Sequence, residues 1–148
     1  MRRSSWPSAA ETENVTRRRT PPSYLLDSSA LLALIEDEPG AARVDFLLRN
    51  KTVLIPWVAL LEVHYITSRR QDAAEADRRY GLLTQMGATV LWDNDEQLLL
   101  QASRLKAAHQ MSLADCLIAA HCARHLSVLV HRDSEYQQLA GEVELEEL

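Results

Sequence analysis

Short apolar runs alternate along this chain with longer stretches in which apolar residues return every three or four positions. The runs Tyr24-Leu25-Leu26, Val53-Leu54-Ile55, Thr89-Val90-Leu91 and Ser127 to Val130 read as strands. Their continuity predicts parallel strands covered on both faces. The helical period belongs to Ala30 to Glu36, Ala41 to Arg49, Trp57 to Arg69, Ala73 to Met86, Glu96 to His109 and Leu113 to Arg124. Strands alternating with helices predict an α/β three-layer sandwich around a mostly parallel central sheet of four or five strands. The fifth strand would be Val143 to Leu148, a short edge strand whose alternating glutamates weaken its apolar signal. Pro39-Gly40 separates the first two helices, Pro56 suits a first helical turn, and Gly87 reads as a C-terminal cap.

Residues 1–22 break this pattern. They are rich in Ser, Thr, Pro, Arg and Glu and have no sustained apolar period, so they are expected to form a disordered tail before a domain spanning 23–148. The Arg17-Arg18-Arg19 run reads better as a solvated charge run than as an RNA contact. The 148 residues suit one core. No apolar run is long enough to cross a bilayer, and no apolar segment follows the first arginines as in a secretory signal, so the expected location is cytoplasmic.

Charge sharpens the picture. The formal net charge is −5, but residues 1–20 carry five arginines against two glutamates, a net of +3, which leaves −8 on the rest. An acidic body is a poor start for a phosphate binder, unless divalent cations invert the local field. Cys116 and Cys122 fall six residues apart on one expected helix, a rise of roughly 9 Å, which is beyond disulfide reach. They read as buried small hydrophobes. His121 and His125 are four apart but lack the HExxH arrangement, so a metal role for them is not expected.

Four acidic residues stand out, each with two readings. Asp27 directly follows the first strand, at the edge where open α/β sheets bind ligands; the alternative is a helix cap, a task Ser28 or Ser29 could perform instead. Glu62 has Ala59, Val63 and Ile66 as helical neighbours, and a glutamate buried among them needs a partner or a metal unless it lies on a narrow exposed stripe. Asp115 ends Ser112-x-x-Asp115, which also resembles a capping box. Asp133 follows the fourth strand, where a turn aspartate is equally at home.

The segments Leu26-Asp27-Ser28-Ser29-Ala30-Leu31-Leu32-Ala33-Leu34, Leu61-Glu62-Val63, Ser112 to Ala120 and His131-Arg132-Asp133-Ser134-Glu135-Tyr136 resemble, in order and spacing, the four acidic motifs of PIN-domain nucleases. The resemblance is closest to the VapC toxins of bacterial toxin–antitoxin pairs and runs from about Tyr24 to the C-terminus. It departs at His131, where such toxins usually carry Thr or Ser, and at Ser134-Glu135, where a Pro or small residue is common. Glu135 reads as a helix-start glutamate rather than an auxiliary acid.

The resemblance implies a PIN-like fold and a metal-dependent endoribonuclease, with Asp27, Glu62, Asp115 and Asp133 as catalytic metal ligands. Magnesium or manganese suits a site of carboxylates without His or Cys. It further implies cleavage of structured RNA such as transfer RNA, a cognate antitoxin protein over the acidic groove, and a homodimer formed through helices. Two rivals stand beside it. A haloacid-dehalogenase-like phosphatase would need an aspartate at Ser29, and a receiver domain would need an acidic pair and a late lysine. The other rival is a PIN-like binding module without catalysis, which would have no need of the metal.

Overall fold

The computed structural model describes residues 20–148, so the expected tail lies, for residues 1–19, outside the described part. Five strands form one sheet: β1 (Tyr24–Leu26), β2 (Val53–Pro56), β3 (Thr89–Leu91), β4 (Val128–His131) and β5 (Glu144–Glu147). Their spatial order is β3-β2-β1-β4-β5, and every pairing is parallel. Six helices intervene: α1 (Ser28–Ile35), α2 (Ala41–Asn50), α3 (Trp57–Arg70), α4 (Ala73–Thr84), α5 (Glu96–Ala108) and α6 (Leu113–His125). A 3-10 helix, Ser134–Leu139, joins β4 to β5.

Continuous apolar runs became strands because both faces are covered: every residue of β2 and β4 is buried. Leu25, Leu26, Ile55, Leu129 and Val130 are fully inaccessible. Fully burying such a side chain contributes roughly 1.5–3 kcal/mol, so the centre of the sheet is its most tightly held part. The edge strand β5 exists despite its glutamates because only its inner positions need be apolar, and Glu146 pairs outward with Arg43 at 2.6 Å.

Some boundaries differ from the sequence reading. β4 runs one residue later than expected and takes in His131. α1 begins at Ser28 rather than Ala30, because Asp27 is its N-cap and accepts from the Ala30 N–H at 2.9 Å. Ser28 and Ser29, expected as spare caps, have their hydroxyls engaged elsewhere. α4 stops at Thr84, short of Met86, and its C-cap is Gln85 rather than Gly87.

The end of α6 closes in a Schellman arrangement: Ser127 N–H donates to Cys122 O at 3.1 Å and Leu126 N–H to Ala123 O at 3.3 Å. That geometry needs a left-handed residue, and Leu126 supplies it at φ 52° while remaining 65% exposed. A left-handed conformation costs an L-residue about 1–2 kcal/mol, whereas glycine adopts it freely at an unfolded-state cost of about 0.4–1 kcal/mol. Leu126→Gly is therefore expected to stabilise the protein by about 0.5–1 kcal/mol in urea unfolding. A clear loss would show that the exposed leucine side chain makes contacts worth more than the backbone strain.

Candidate active site

All strands point the same way, so one edge of the sheet collects every strand's carboxyl end, and the four expected acids come to that edge. Asp27 follows β1 directly. Asp133 lies two residues beyond β4 and N-caps the 3-10 helix, its Oδ1 accepting from Glu135 N–H at 3.0 Å. Glu62 sits in the second turn of α3, which starts at the end of β2. Asp115 occupies the first turn of α6.

A web of hydroxyl donors links them. Ser29 Oγ donates to both oxygens of Asp27, at 2.7 and 2.9 Å, while Ser28 Oγ donates to Glu62 Oε1 at 2.9 Å. Ser29 Oγ also accepts from Arg132 N–H at 2.8 Å, which ties the β1 and β4 ends together. Tyr136 is fully buried and donates its hydroxyl to Asp115 Oδ1 at 3.0 Å. Ser112 is the cap of α6, accepting from Asp115 N–H at 3.1 Å, which leaves the Asp115 carboxylate for Tyr136 and the cluster. Half of a capping box is thus present, made by the serine rather than by the aspartate.

His131 is also placed. Its Nδ1 accepts from Asp133 N–H at 3.2 Å, and its ring packs on Tyr136 with centroids 5.0 Å apart. An imidazole nitrogen here does the accepting available to a Thr or Ser hydroxyl at the same place. Glu135, read from sequence as a helix-start glutamate, does occupy a first turn. Yet its carboxylate, with those of Asp115 and Asp133, offers oxygens within 4.8 Å of one another. No local pattern marked Glu135, because a glutamate in a first turn is an ordinary residue.

The electrostatics are those of an uncompensated acidic group. Burial raises the Asp27 carboxyl to about 7, against the lowering effect of the Ala30 N–H and the Ser29 hydroxyl, and the charges of Asp115 and Glu62 push it further up. Burial likewise raises Glu62, opposed by Ser28 and reinforced by Asp115 and Asp133. Asp115 is raised by burial too, opposed first by Tyr136, with Asp133 adding repulsion. Among the described residues none of the four acids makes an ion pair. Their donors among the described residues are neutral hydroxyls and backbone amides. An all-oxygen donor set of this kind fits a hard divalent cation.

Residues 24–142 match the PIN domain family, and the chain belongs to that family. Solved structures share its fold. A VapBC2 structure from Rickettsia felis, bound to a promoter DNA fragment, aligns with a TM-score of 0.69 at 17% identity, covering 84% of this chain and 98% of the other. VapBC-1 from nontypeable Haemophilus influenzae aligns at 0.66 and 24% identity, over 84% and 97% of the two chains. VapC20 from Mycobacterium tuberculosis, a Sarcin-Ricin loop cleaving toxin, aligns at 0.63 and 15%, over 78% and 93%. No curated protein matches the chain in sequence.

The raised carboxyls fix the sign of a pH effect. An unfolded Asp27 titrates near 3.8, so between about 4 and 7 the folded protein holds a proton that unfolding releases. This contribution to stability is complete below the unfolded value and lost as pH rises through about 7. It is worth on the order of a few kcal/mol, at about 1.4 per pH unit. Asp27→Asn keeps the N-cap acceptor and removes the titration. In chelator-treated protein its melting temperature should equal or exceed wild type at pH 8, with the advantage gone at pH 5. A lower melting temperature at pH 8 would make Asp27 chiefly a structural cap.

Proposed function

We propose that this chain is a metal-dependent endoribonuclease and the toxin half of a toxin–antitoxin pair. The observation that carries the reading is the convergence of Asp27, Glu62, Asp115 and Asp133 at one sheet edge, with three of the carboxyls raised and, among the described residues, no cationic side chain paired to any of them. Membership of the PIN family and the shared fold of VapC structures support it.

In this reading the four carboxylates hold magnesium or manganese, and Glu135 offers a further oxygen beside those of Asp115 and Asp133. A bound ion of this class supplies an ionised water and charge compensation at a phosphodiester. The chain's own groups do the positioning. Ser29 fixes both oxygens of Asp27, Ser28 turns Glu62 inward, and Tyr136 orients Asp115 without neutralising it, since burial raises the phenol and keeps it protonated. The substrate is RNA, structured RNA such as transfer RNA in particular, and its phosphates approach this acidic edge only when cations reverse its field.

Two apolar clefts flank Trp57 beside the site. One, of about 520 Å³, is lined by Leu60, Leu61, Tyr65, Tyr80 and Trp92 among others; the second, of about 540 Å³, includes Leu99, Leu113 and Leu117. Exposed apolar surface of this extent favours protein partners, and an antitoxin and a second copy of the chain are the partners proposed. Among the described residues no helix is long and apolar enough to cross a membrane, and a cytoplasmic location is part of the same proposal.

The alternative of a PIN-like binding module is separated by metal-dependent turnover. Purified protein is expected to cleave structured RNA with manganese or magnesium and to lose the activity with chelator or with Asp27→Asn. Asp115→Glu is the sharper test. The Ser112 cap acts through the backbone of residue 115 and survives the change, so stability should stay within about 1 kcal/mol. The added methylene displaces a ligand oxygen, and activity should fall at least about tenfold. Full activity in Asp115→Glu would remove Asp115 from the metal site.

A further inference from the structure

His121 and His125 lie one turn apart near the end of α6, well away from Asp115 at its start. A histidine pair at this spacing is common on helices, and the sequence offers no third donor close to it. The fold supplies one. The loop after β3 brings Asp93 against the pair, and one ring nitrogen of each histidine and a carboxylate oxygen of Asp93 all lie within 4.8 Å of one another.

His121 itself points to a ligand. It is fully buried, and among the described residues neither of its ring nitrogens has a hydrogen-bond partner. A neutral imidazole has one N–H to donate and one lone pair to share, and leaving both unmet in the interior is costly. A buried polar group without a partner calls for a ligand that completes it. The end of a helix is also where a cation is favoured, because the last carbonyls concentrate negative potential there. Arg124 engages Asp93 through Oδ2 alone, at 2.7 Å.

We propose that Asp93, His121 and His125 form a second metal site, which takes a borderline divalent transition ion such as zinc. Two imidazole nitrogens and one carboxylate oxygen are a zinc-type donor set, unlike the all-oxygen cluster at the sheet edge. Tetrahedral ligands at 2.0–2.2 Å stand about 3.3–3.5 Å apart, so the donors must draw together by on the order of 1 Å. The exposed Asp93 and His125 can make that adjustment while His121 stays fixed by packing. The bound ion ties the end of α6 to the β3–α5 loop, and solvent completes its coordination. This site stands independently of the nuclease reading.

The test uses tag-free protein stripped by chelator, with zinc titrated calorimetrically and cobalt as a spectroscopic probe. One equivalent of zinc is expected to bind both wild type and Asp27→Asn, to resist millimolar magnesium and to raise the melting temperature. His125→Ala removes an exposed group and should leave metal-free melting unchanged, and Asp93→Asn, which also gives up the exposed ion pair with Arg124, should lower it only slightly, so both avoid the folding risk of altering His121. Each should weaken zinc binding at least about tenfold and abolish the visible bands of bound cobalt. Zinc binding undiminished in both variants, or lost in Asp27→Asn or to magnesium, would overturn the proposal.

Discussion

Carboxylates drawn together at the carboxyl edge of a parallel sheet repel one another, and the scaffold has to absorb that repulsion before any chemistry is possible there. It does so with oriented dipoles rather than with opposite charges. Asp27 caps α1, Asp115 lies in the first turn of α6 and Asp133 caps the 3-10 helix, so three acids sit where backbone N–H groups concentrate positive potential. Ser28, Ser29 and Tyr136 add neutral donors. A guanidinium would compensate the charge more completely, but it would occupy the space and field that a cation needs. The carboxyls nevertheless stay raised, chiefly by burial and further by the charges of their acidic neighbours.

Holding repelling groups in place demands a stiff support, and the sheet order provides it. β1 is central, hydrogen-bonded on both sides by β2 and β4, with Leu25 and Leu26 wholly buried just before Asp27. The Asp27 N–H continues the ladder by donating to Val130 O at 3.2 Å. The backbone carrying the most perturbed acid is therefore paired up to the residue itself. Tyr136 couples the two levels, since it packs in the core, touches His131 and bonds Asp115.

What sequence could reveal followed from whether a signal was local. Unbroken runs such as Leu25-Leu26 and Leu54-Ile55 marked buried strands, because burial on both faces leaves no polar positions. The acids after β1 and β4 were legible for the same reason: a strand end fixes where the next side chain projects. Helix starts were less legible around Asp27, where three adjacent residues can all cap and only tertiary hydrogen bonds decided that the serines serve Asp27 and Glu62 instead. Glu135 is the first-turn glutamate that the sequence suggested, while its nearness to Asp115 was not legible because it depends on a tertiary fit between the 3-10 helix and α6. Asp93 was invisible as a partner for His121 for a similar reason, since 28 residues separate them and only packing of α6 against the β3–α5 region joins them.

α6 connects these strands of argument. Its first turn presents a carboxylate to the acidic cluster and its last turns present imidazoles, so one element of 13 residues carries two different side-chain chemistries at its opposite ends. The helix field discriminates between them in a consistent sense. The N-terminal end favours Asp115 in its ionised form, opposing the desolvation that raises it, while the C-terminal end favours positive charge beside His125. Packing discriminates further. Cys116, Ile118, Ala119 and Cys122 are fully buried between the two ends, and the Schellman closure after His125 fixes the helix's length and phase.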